Sequence, residues 1–177
     1  MNLSQLYKLA NHGDVEAQVS LGTIFHEGKY APQNYEESLK WLFKAARQGH
    51  LKSQYNVGYM LHKAEGVNED NVMAFYWFSK AAERGLVEAQ NYVGMMYRSG
   101  NGVEQNFEEA FIWFSIGANN GHPECQSNLG SMYLDGDGVH ESITEGVYWL
   151  NLAFKQGCEY AREILDEDEL WNYIYKI

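Results

Sequence analysis

The chain has 177 residues, of which 45% are hydrophobic and 15% aromatic, so it can bury a real core and is not a disordered chain. Its 13 basic and 24 acidic residues give a formal net charge of −11, which argues against nucleic-acid binding because phosphates must be neutralised by cations. The same charge opposes an anionic membrane surface and would attract a basic protein partner, although acidity that serves only solubility explains it equally well.

The N-terminal segment Met1-Asn2-Leu3-Ser4-Gln5 has no basic region and no long apolar run, unlike a secretory signal peptide. No window approaches the roughly 18 apolar residues of a membrane span. Two cysteines, Cys125 and Cys158, form neither a metal-binding spacing nor a disulfide framework. We therefore expect a cytoplasmic protein with free thiols, unless a leader has been removed from the chain.

A repeat of 36 residues runs along the chain without a gap. Two glycine columns and one tryptophan column mark it: Gly13, Gly49, Gly85, Gly121 and Gly157; Gly22, Gly58, Gly94 and Gly130; Trp41, Trp77, Trp113 and Trp149. In chain order, the pattern predicts an N-terminal half-repeat or cap over 1–14, then four full repeats over 15–48, 51–84, 87–120 and 123–156. Residues 157–177 form a C-terminal cap, in which 159–166 align with a first helix and 169–175 replace a second helix. We predict a single repeat domain over 1–177.

The first helix of each repeat is predicted from apolar or small residues that recur on one helical face, as Ala17, Leu21 and Phe25 do in the first repeat. A turn of the form Gly-x-Gly ends it in the third and fourth repeats, where glycine allows positive φ. The first repeat has Tyr30 at the second glycine position and the second repeat has Ala64 at the first, which leaves the geometry of those turns open.

The second helix is predicted to begin at a side-chain cap in every repeat: Asn34, Asp70, Asn106 and Ser142. A glutamate three residues later, at Glu37, Glu109 and Glu145, predicts a full capping box in all repeats but the second. The tryptophan column is interpreted as core packing between neighbouring helices.

The third repeat carries the pattern most fully, in Val87-Glu88-Ala89-Gln90, Gly100-Asn101-Gly102 and Ala110-Phe111-Ile112-Trp113-Phe114. It resembles the Sel-one-like repeat family, relatives of the tetratricopeptide repeats with longer units, and the resemblance covers 15–156. It implies an all-α, right-handed α-solenoid of antiparallel helix pairs (an α/α superhelix) that acts as a scaffold for protein complexes, with no shared reaction. Secreted members carry a cysteine pair in each repeat, and its absence here supports the cytoplasmic expectation.

No residue constellation points to catalysis, a cofactor or a metal. The six histidines form no zinc-binding helical pair, and His26 and His62 fall in one column that we interpret as surface. Cys158 could begin a helix and gain thiolate character there, but no histidine is adjacent in sequence and Glu159 opposes the charge. The acidic run 166–169 is interpreted as the start of a helix, with a docking patch for a basic partner as the alternative.

The variable positions of the first helices predict the binding surface, because the repeated positions are needed for the core. This stripe is expected on the concave side and contains Ser20, Thr23, Asn56, Tyr59, Lys63, Tyr92, Met95, Asn128 and Ser131. Tyrosine and methionine are enriched at interfaces, so Tyr59, Tyr92 and Met95 are the predicted energetic centre. The alternative is that these three are partly buried against the second helices.

The predicted function is therefore a non-enzymatic scaffold that binds a partner protein. An inhibitor or immunity protein that neutralises a basic toxin, such as a nuclease, fits the net charge of −11. The alternative is a general adaptor in a bacterial signalling or secretion complex, which needs the groove but not the charge. The sequence leaves the oligomeric state open between a monomer and a weak dimer.

Overall fold

The computed structural model describes residues 2–167 and 170–174, and the regular elements in these ranges are all helices. The chain divides into two compact units, Met1–Leu86 and Val87–Ile177. The first unit contains α1 (Leu3–Asn11), α2 (Val15–Glu27), α3 (Tyr35–Arg47), α4 (Leu51–His62) and α5 (Asn71–Ala82). The second contains α6 (Val87–Ser99), α7 (Phe107–Asn119), α8 (Pro123–Asp135), α9 (Ile143–Lys155), α10 (Glu159–Glu167) and the short α11 (Trp171–Ile174).

Helices pack in the order in which they follow one another in the chain. In the first unit α2 packs on α3 and α4 on α5, while α1 covers α2 and α3 contacts α4. In the second unit α6 packs on α7 and α8 on α9, α7 contacts α8, and α10 lies against α8 and α9. The predicted all-α architecture of helix pairs is thus confirmed.

The C-terminal end differs from its prediction in two ways. The segment expected to replace a second helix forms only the four-residue α11 among the described residues. Asp166 and Glu167 belong to the last turn of α10 rather than to the start of a helix, so that interpretation was wrong for them. Asp166 instead accepts a hydrogen bond from Trp171 Nε1 at 2.6 Å. The other half of the acidic run, 168–169, lies outside the described residues.

The glycine column within the first helices allows the two helices of a pair to approach closely. A Cβ on Gly94 of α6 would lie 2.7 Å from Phe114 on α7, closer than real Cβ contacts come. Glycine therefore makes room for the buried Phe114 ring. The same relation joins Gly22 to Leu42, Gly58 to Phe78 and Gly130 to Leu150.

The core of each unit is built from the repeated apolar columns. In the first unit one cluster holds Ala17, Leu21, Phe25 and Trp41, and in the second one holds Phe114, Cys125, Leu129 and Met132. The predicted tryptophan column is buried at Trp41 and Trp77 but only half-buried at Trp113 and Trp149.

A buried glutamine in the first helix links neighbouring repeats through its side-chain amide. Gln126 Nε2 donates to the Ala118 carbonyl at 3.2 Å, and Gln126 Oε1 accepts from Gln156 Nε2 at 2.8 Å. The first unit repeats the arrangement at Gln18, which donates to the Ala10 carbonyl and accepts from Gln48. The repeated glutamine therefore satisfies a carbonyl at the end of the preceding helix, and its own oxygen accepts from the glutamine that follows the second helix of its own pair.

The predicted caps of the second helices are confirmed, but the capping boxes are not. Asn34, Asp70, Asn106 and Ser142 each accept a hydrogen bond from the backbone N–H three residues later. The reciprocal bond does not form because the N–H of each cap residue donates elsewhere. The N–H of Asn106, for example, donates to the Tyr97 carbonyl of the preceding helix at 2.9 Å. This bond ties the turn to the first helix, a role that the sequence pattern did not indicate.

Candidate functional site

The nine residues of the predicted stripe lie on four first helices, two in each unit. Helix α2 carries Ser20 and Thr23, α4 carries Asn56 and Tyr59 with Lys63 directly after it, α6 carries Tyr92 and Met95, and α8 carries Asn128 and Ser131. Ser20, Thr23, Asn56 and Lys63 are exposed, whereas Tyr59, Tyr92, Met95 and Asn128 are half-buried. The half-burial arises because these side chains line two grooves, one within each unit.

The first-unit groove has a volume of about 450 Å³ and lies between α2 and α4. Its lining residues are Thr23, His26, Glu27, Leu42, Tyr55, Asn56, Tyr59 and Met60. Tyr55 and Tyr59 are one helical turn apart, with ring centroids 6.3 Å from each other, and Tyr55 also contacts the buried Phe78 ring at 5.7 Å. The two tyrosines form one aromatic side of the groove, and the contact with Phe78 packs that side against the core.

The polar edge of the first-unit groove is held by a contact between successive repeats. His26 Nε2 lies 3.1 Å from Glu65 Oε2, and the His26 ring packs edge-on against Tyr35. Next to it, the pKa of Glu27 is lowered by a hydrogen bond from Lys29 and by its positive charge. The histidine expected to be a simple surface residue therefore joins two repeats at the edge of the groove.

The second-unit groove has a volume of about 440 Å³ and is lined by Asn91, Tyr92, Met95, Glu124, Asn128, Cys158 and Tyr160. Its polar centre is Asn91, a buried residue that bridges two side chains of α8. Asn91 Nδ2 donates to Glu124 Oε2 at 3.2 Å, and Asn91 Oδ1 accepts from Asn128 Nδ2 at 3.0 Å. The amide network fixes the orientation of the Glu124 carboxylate beside Tyr92.

Three stripe residues lie outside these two grooves. Ser20 lines a separate depression beside α1, and its hydroxyl donates to the Glu16 carbonyl. Lys63 is exposed at the end of α4. Ser131 is buried because Arg98 extends across it: its hydroxyl accepts from Arg98 Nη2 and donates to Asp135. The pattern therefore predicted Ser131 as accessible where the fold covers it.

The groove residues that were not predicted as binding residues include Tyr55, Asn91, Glu124 and Tyr160. Tyr55 and Asn91 share one column, directly before the stripe, and that column also varies between repeats. Glu124 and Tyr160 share another column, near the start of the first helices. Variation in these two columns was the available signal, but their position beside the stripe depends on how neighbouring first helices are staggered.

No group of three or more His, Cys, Asp or Glu side chains in residues 2–167 and 170–174 could hold a metal ion. Burial raises the pKa of Cys125 to about 12, which keeps that thiol protonated. Of the helices described, none is both long enough and apolar enough to cross a bilayer.

The fold and the grooves together define an α-helical repeat protein of the solenoid class, with variable residues displayed on its first helices. The Sel1 repeat model matches residues 15–50, 51–86, 87–122 and 123–158, so the chain belongs to the Sel1 repeat family. Sel1 repeats typically mediate protein–protein interactions. No curated protein matches the sequence.

Solved structures share this fold. A protective antigen of uropathogenic Escherichia coli, c5321, is 34% identical, with a TM-score of 0.85 over 91% of this chain and 34% of its own. A Sel1 repeat protein from Oxalobacter formigenes is 31% identical, with a TM-score of 0.81 over 90% of this chain and 64% of its own. The chain thus spans about a third of the first protein and under two-thirds of the second. Immunity protein Pa5087 from Pseudomonas aeruginosa, at 19% identity and a TM-score of 0.53, covers 88% of this chain and 58% of its own, and shows the fold alone.

Proposed function

We propose that the protein is a non-catalytic scaffold that binds a partner protein through the grooves of its first helices. The observation that carries the proposal is that Tyr59 lines one groove and Tyr92 and Met95 line the other, at the variable positions of equivalent helices. Aromatic and methionine side chains that are half-buried in a depression make effective interface anchors, because they offer a large apolar area that a partner can remove from water.

Within this function, we favour an inhibitor of a basic protein, such as a toxin. The net charge of −11 supports it, because an acidic surface accelerates encounter with a basic partner. The fold is compatible, since Pa5087 is described as an immunity protein. The proposal places the protein in the cytoplasm, a reducing compartment where the free thiols of Cys125 and Cys158 persist.

The second candidate is a general adaptor in a signalling or secretion complex. It is favoured by the first-unit groove, because residues 1–86 hold nine basic and nine acidic residues and that unit carries no net charge. A partner bound there would be selected by its shape and apolar contacts rather than by its charge.

The test is an affinity capture from native lysate with a triple variant, Tyr59→Ala, Tyr92→Ala and Met95→Ala, followed by titration calorimetry with the purified partner. The matched control replaces Tyr76, Ile112 and Tyr148 by alanine, since these residues are 46–48% exposed on the second helices. If a single stoichiometric partner is lost in the Tyr59/Tyr92/Met95 variant and not in the control, the scaffold function is supported. If that partner is a basic protein, the inhibitor role is supported as well. Equal binding by both variants would refute the proposed surface.

A further inference from the structure

The net charge of the protein is confined to one of its two units. Residues 1–86 contain nine basic and nine acidic residues, whereas residues 87–177 contain four basic and fifteen acidic residues. The whole charge of −11 therefore belongs to the second unit. A chain that needed acidity only for solubility would have no reason to concentrate it in this way.

The asymmetry extends to the first helices, because α4 and the residue after it carry lysines at two positions where second-unit helices carry acidic residues. Lys52 near the start of α4 corresponds to Glu88 on α6 and Glu124 on α8. Lys63 after α4 corresponds to Asp135 at the end of α8. Since the repeats share one fold, these side chains project from the same place in each repeat. Helix α2 of the first unit carries Glu16 and Glu27 at these two positions, so the lysines are specific to the repeat that begins with α4.

The two arginines of the second unit are paired with carboxylates other than that of Glu124. Arg98 is paired with Asp135 at 2.9 Å and Asp137 at 3.4 Å, and Arg162 is paired with Glu159 at 3.4 Å. The Glu124 carboxylate has a histidine beside it: His122 Nε2 lies 4.0 Å from Glu124 Oε2. This histidine carries a positive charge only when it is protonated. The groove therefore presents a carboxylate that a cation from outside can approach.

The geometry around Glu124 suits a planar cation. The Glu124 side chain is 66% exposed, and its carboxylate is oriented by the hydrogen bond from Asn91. Tyr92 and Tyr160 line the same groove, and Tyr160 is 47% exposed. A guanidinium can bond a carboxylate through its edge while its face stacks on an aromatic ring, which an ammonium cannot do as well.

We propose that the second-unit groove docks an arginine-bearing segment of the partner protein, with a guanidinium held between the Glu124 carboxylate and the Tyr92 and Tyr160 rings. The inference rests on the proposed function, because it takes the partner to be a protein. It goes further by assigning the basic contact to the second unit alone and by naming the side chain that is recognised.

The test uses the full chain and a short fluorescein-labelled peptide in which arginine alternates with serine, with Kd measured by fluorescence anisotropy. Glu124→Gln removes the charge but retains an acceptor for Asn91, and we expect it to weaken peptide binding about tenfold. We expect a similar loss for Tyr160→Ala, which removes the stacking ring. The matched control is Glu104→Gln, at an exposed turn position outside the groove, which changes Kd by less than about twofold because salt screens distant charges. Replacing arginine by lysine in the peptide weakens binding to the wild-type protein.

Equal weakening by Glu104→Gln and Glu124→Gln would overturn the inference, since it would indicate diffuse attraction to the acidic unit. Absence of peptide binding would overturn it as well. Circular dichroism melts of each variant establish that the fold is intact. If the captured partner depends on the stripe but the arginine peptide does not bind, the scaffold function stands and this inference fails. If the peptide binds in the groove but no captured partner depends on the stripe, the guanidinium site stands and the proposed partner-binding surface is refuted.

Discussion

Gly117 on α7 lies so close to Cys125 on α8 that a Cβ on the glycine would be under 3.0 Å from the cysteine Sγ. Other repeats place small residues at both of these positions, as in the pairs Ala45 with Ser53, Ala81 with Ala89, and Ala153 with Ala161. Where the third repeat meets the fourth, the larger side chain of Cys125 is thus matched by the loss of a methyl group at Gly117. The pair conserves volume where the two helices meet.

Gly117→Ala is therefore expected to destabilise the protein by about 1–3 kcal/mol through overpacking against the sulfur. The double variant Gly117→Ala/Cys125→Ala restores the alanine pair of other repeats and should recover most of that loss. Urea unfolding followed by circular dichroism measures Gly117→Ala, Cys125→Ala and the double variant. Free energies of unfolding that add to within about 0.5 kcal/mol would show that the two residues are not coupled.

The two thiols should differ in reactivity. Burial raises the pKa of Cys125 to about 12, so at pH 8 only about one molecule in ten thousand carries its thiolate. Cys158 is half-buried at the edge of the second-unit groove and can be reached by reagent. A disulfide reagent at pH 8 should label Cys158 in the folded protein and both cysteines in denaturant. Rapid labelling of a folded Cys158→Ser variant would contradict the burial of Cys125.

The turn of the second repeat contains a strained alanine. Ala64 has φ of 56°, in the left-handed region, at the position where the third and fourth repeats have Gly100 and Gly136 with φ of 71° and 73°. Ala64→Gly should stabilise the protein by about 0.5–1 kcal/mol, because relief of the steric strain exceeds the added entropy of the unfolded chain.

Differential scanning calorimetry checks this change, and Gly100→Ala is its mirror control. The control variant should lose about 1 kcal/mol, because it introduces into the third repeat the strain that Ala64 carries in the second. A lower melting temperature for Ala64→Gly would mean that the Ala64 methyl group contributes packing that outweighs the backbone strain.

The repeat columns predicted the fold well because each column has one structural cause. Glycine at the position of Gly94 allows the close approach of Phe114, and a cap such as Asn106 begins the second helix wherever it recurs. The capping boxes could not be predicted, because the competing acceptor, the Tyr97 carbonyl, is brought to Asn106 only by the turn itself. The turns at Tyr30 and Ala64 keep positive φ despite their side chains, which shows that the fold overrides local preference there.

The candidate site was predicted less completely, for a physical reason. The stripe follows from the periodicity of a single helix, but a groove needs two helices, and the sequence does not state how far one is shifted along the other. Tyr55 and Tyr160 enter their grooves through that shift. Ser131 is covered because Arg98, a full repeat earlier in the chain, reaches the carboxylates of Asp135 and Asp137.

The last prediction concerns the buried glutamine that connects repeats. Gln126 is 5% exposed, and its side chain both donates to the Ala118 carbonyl and accepts from Gln156. Gln126→Leu keeps the volume but leaves two polar partners without their bond, so we expect a loss of about 1–3 kcal/mol in the free energy of unfolding. Gln156→Leu should lose less, because the Gln156 side chain is exposed and only the acceptor on Gln126 is left buried.

Urea denaturation of both single variants and the double variant separates the shared bond from the rest. The double variant should lose less than the sum of the two single variants, by about 0.5–1.5 kcal/mol, because the bond between the two glutamines can be lost only once. Gln105→Leu is the control, since Gln105 is an exposed glutamine whose amide also donates to a carbonyl, that of Arg98, at 2.8 Å. Gln105→Leu should cost little, because the exposed Arg98 carbonyl can bond water instead. A loss at Gln105 as large as that at Gln126 would show that burial does not explain the importance of the glutamine column.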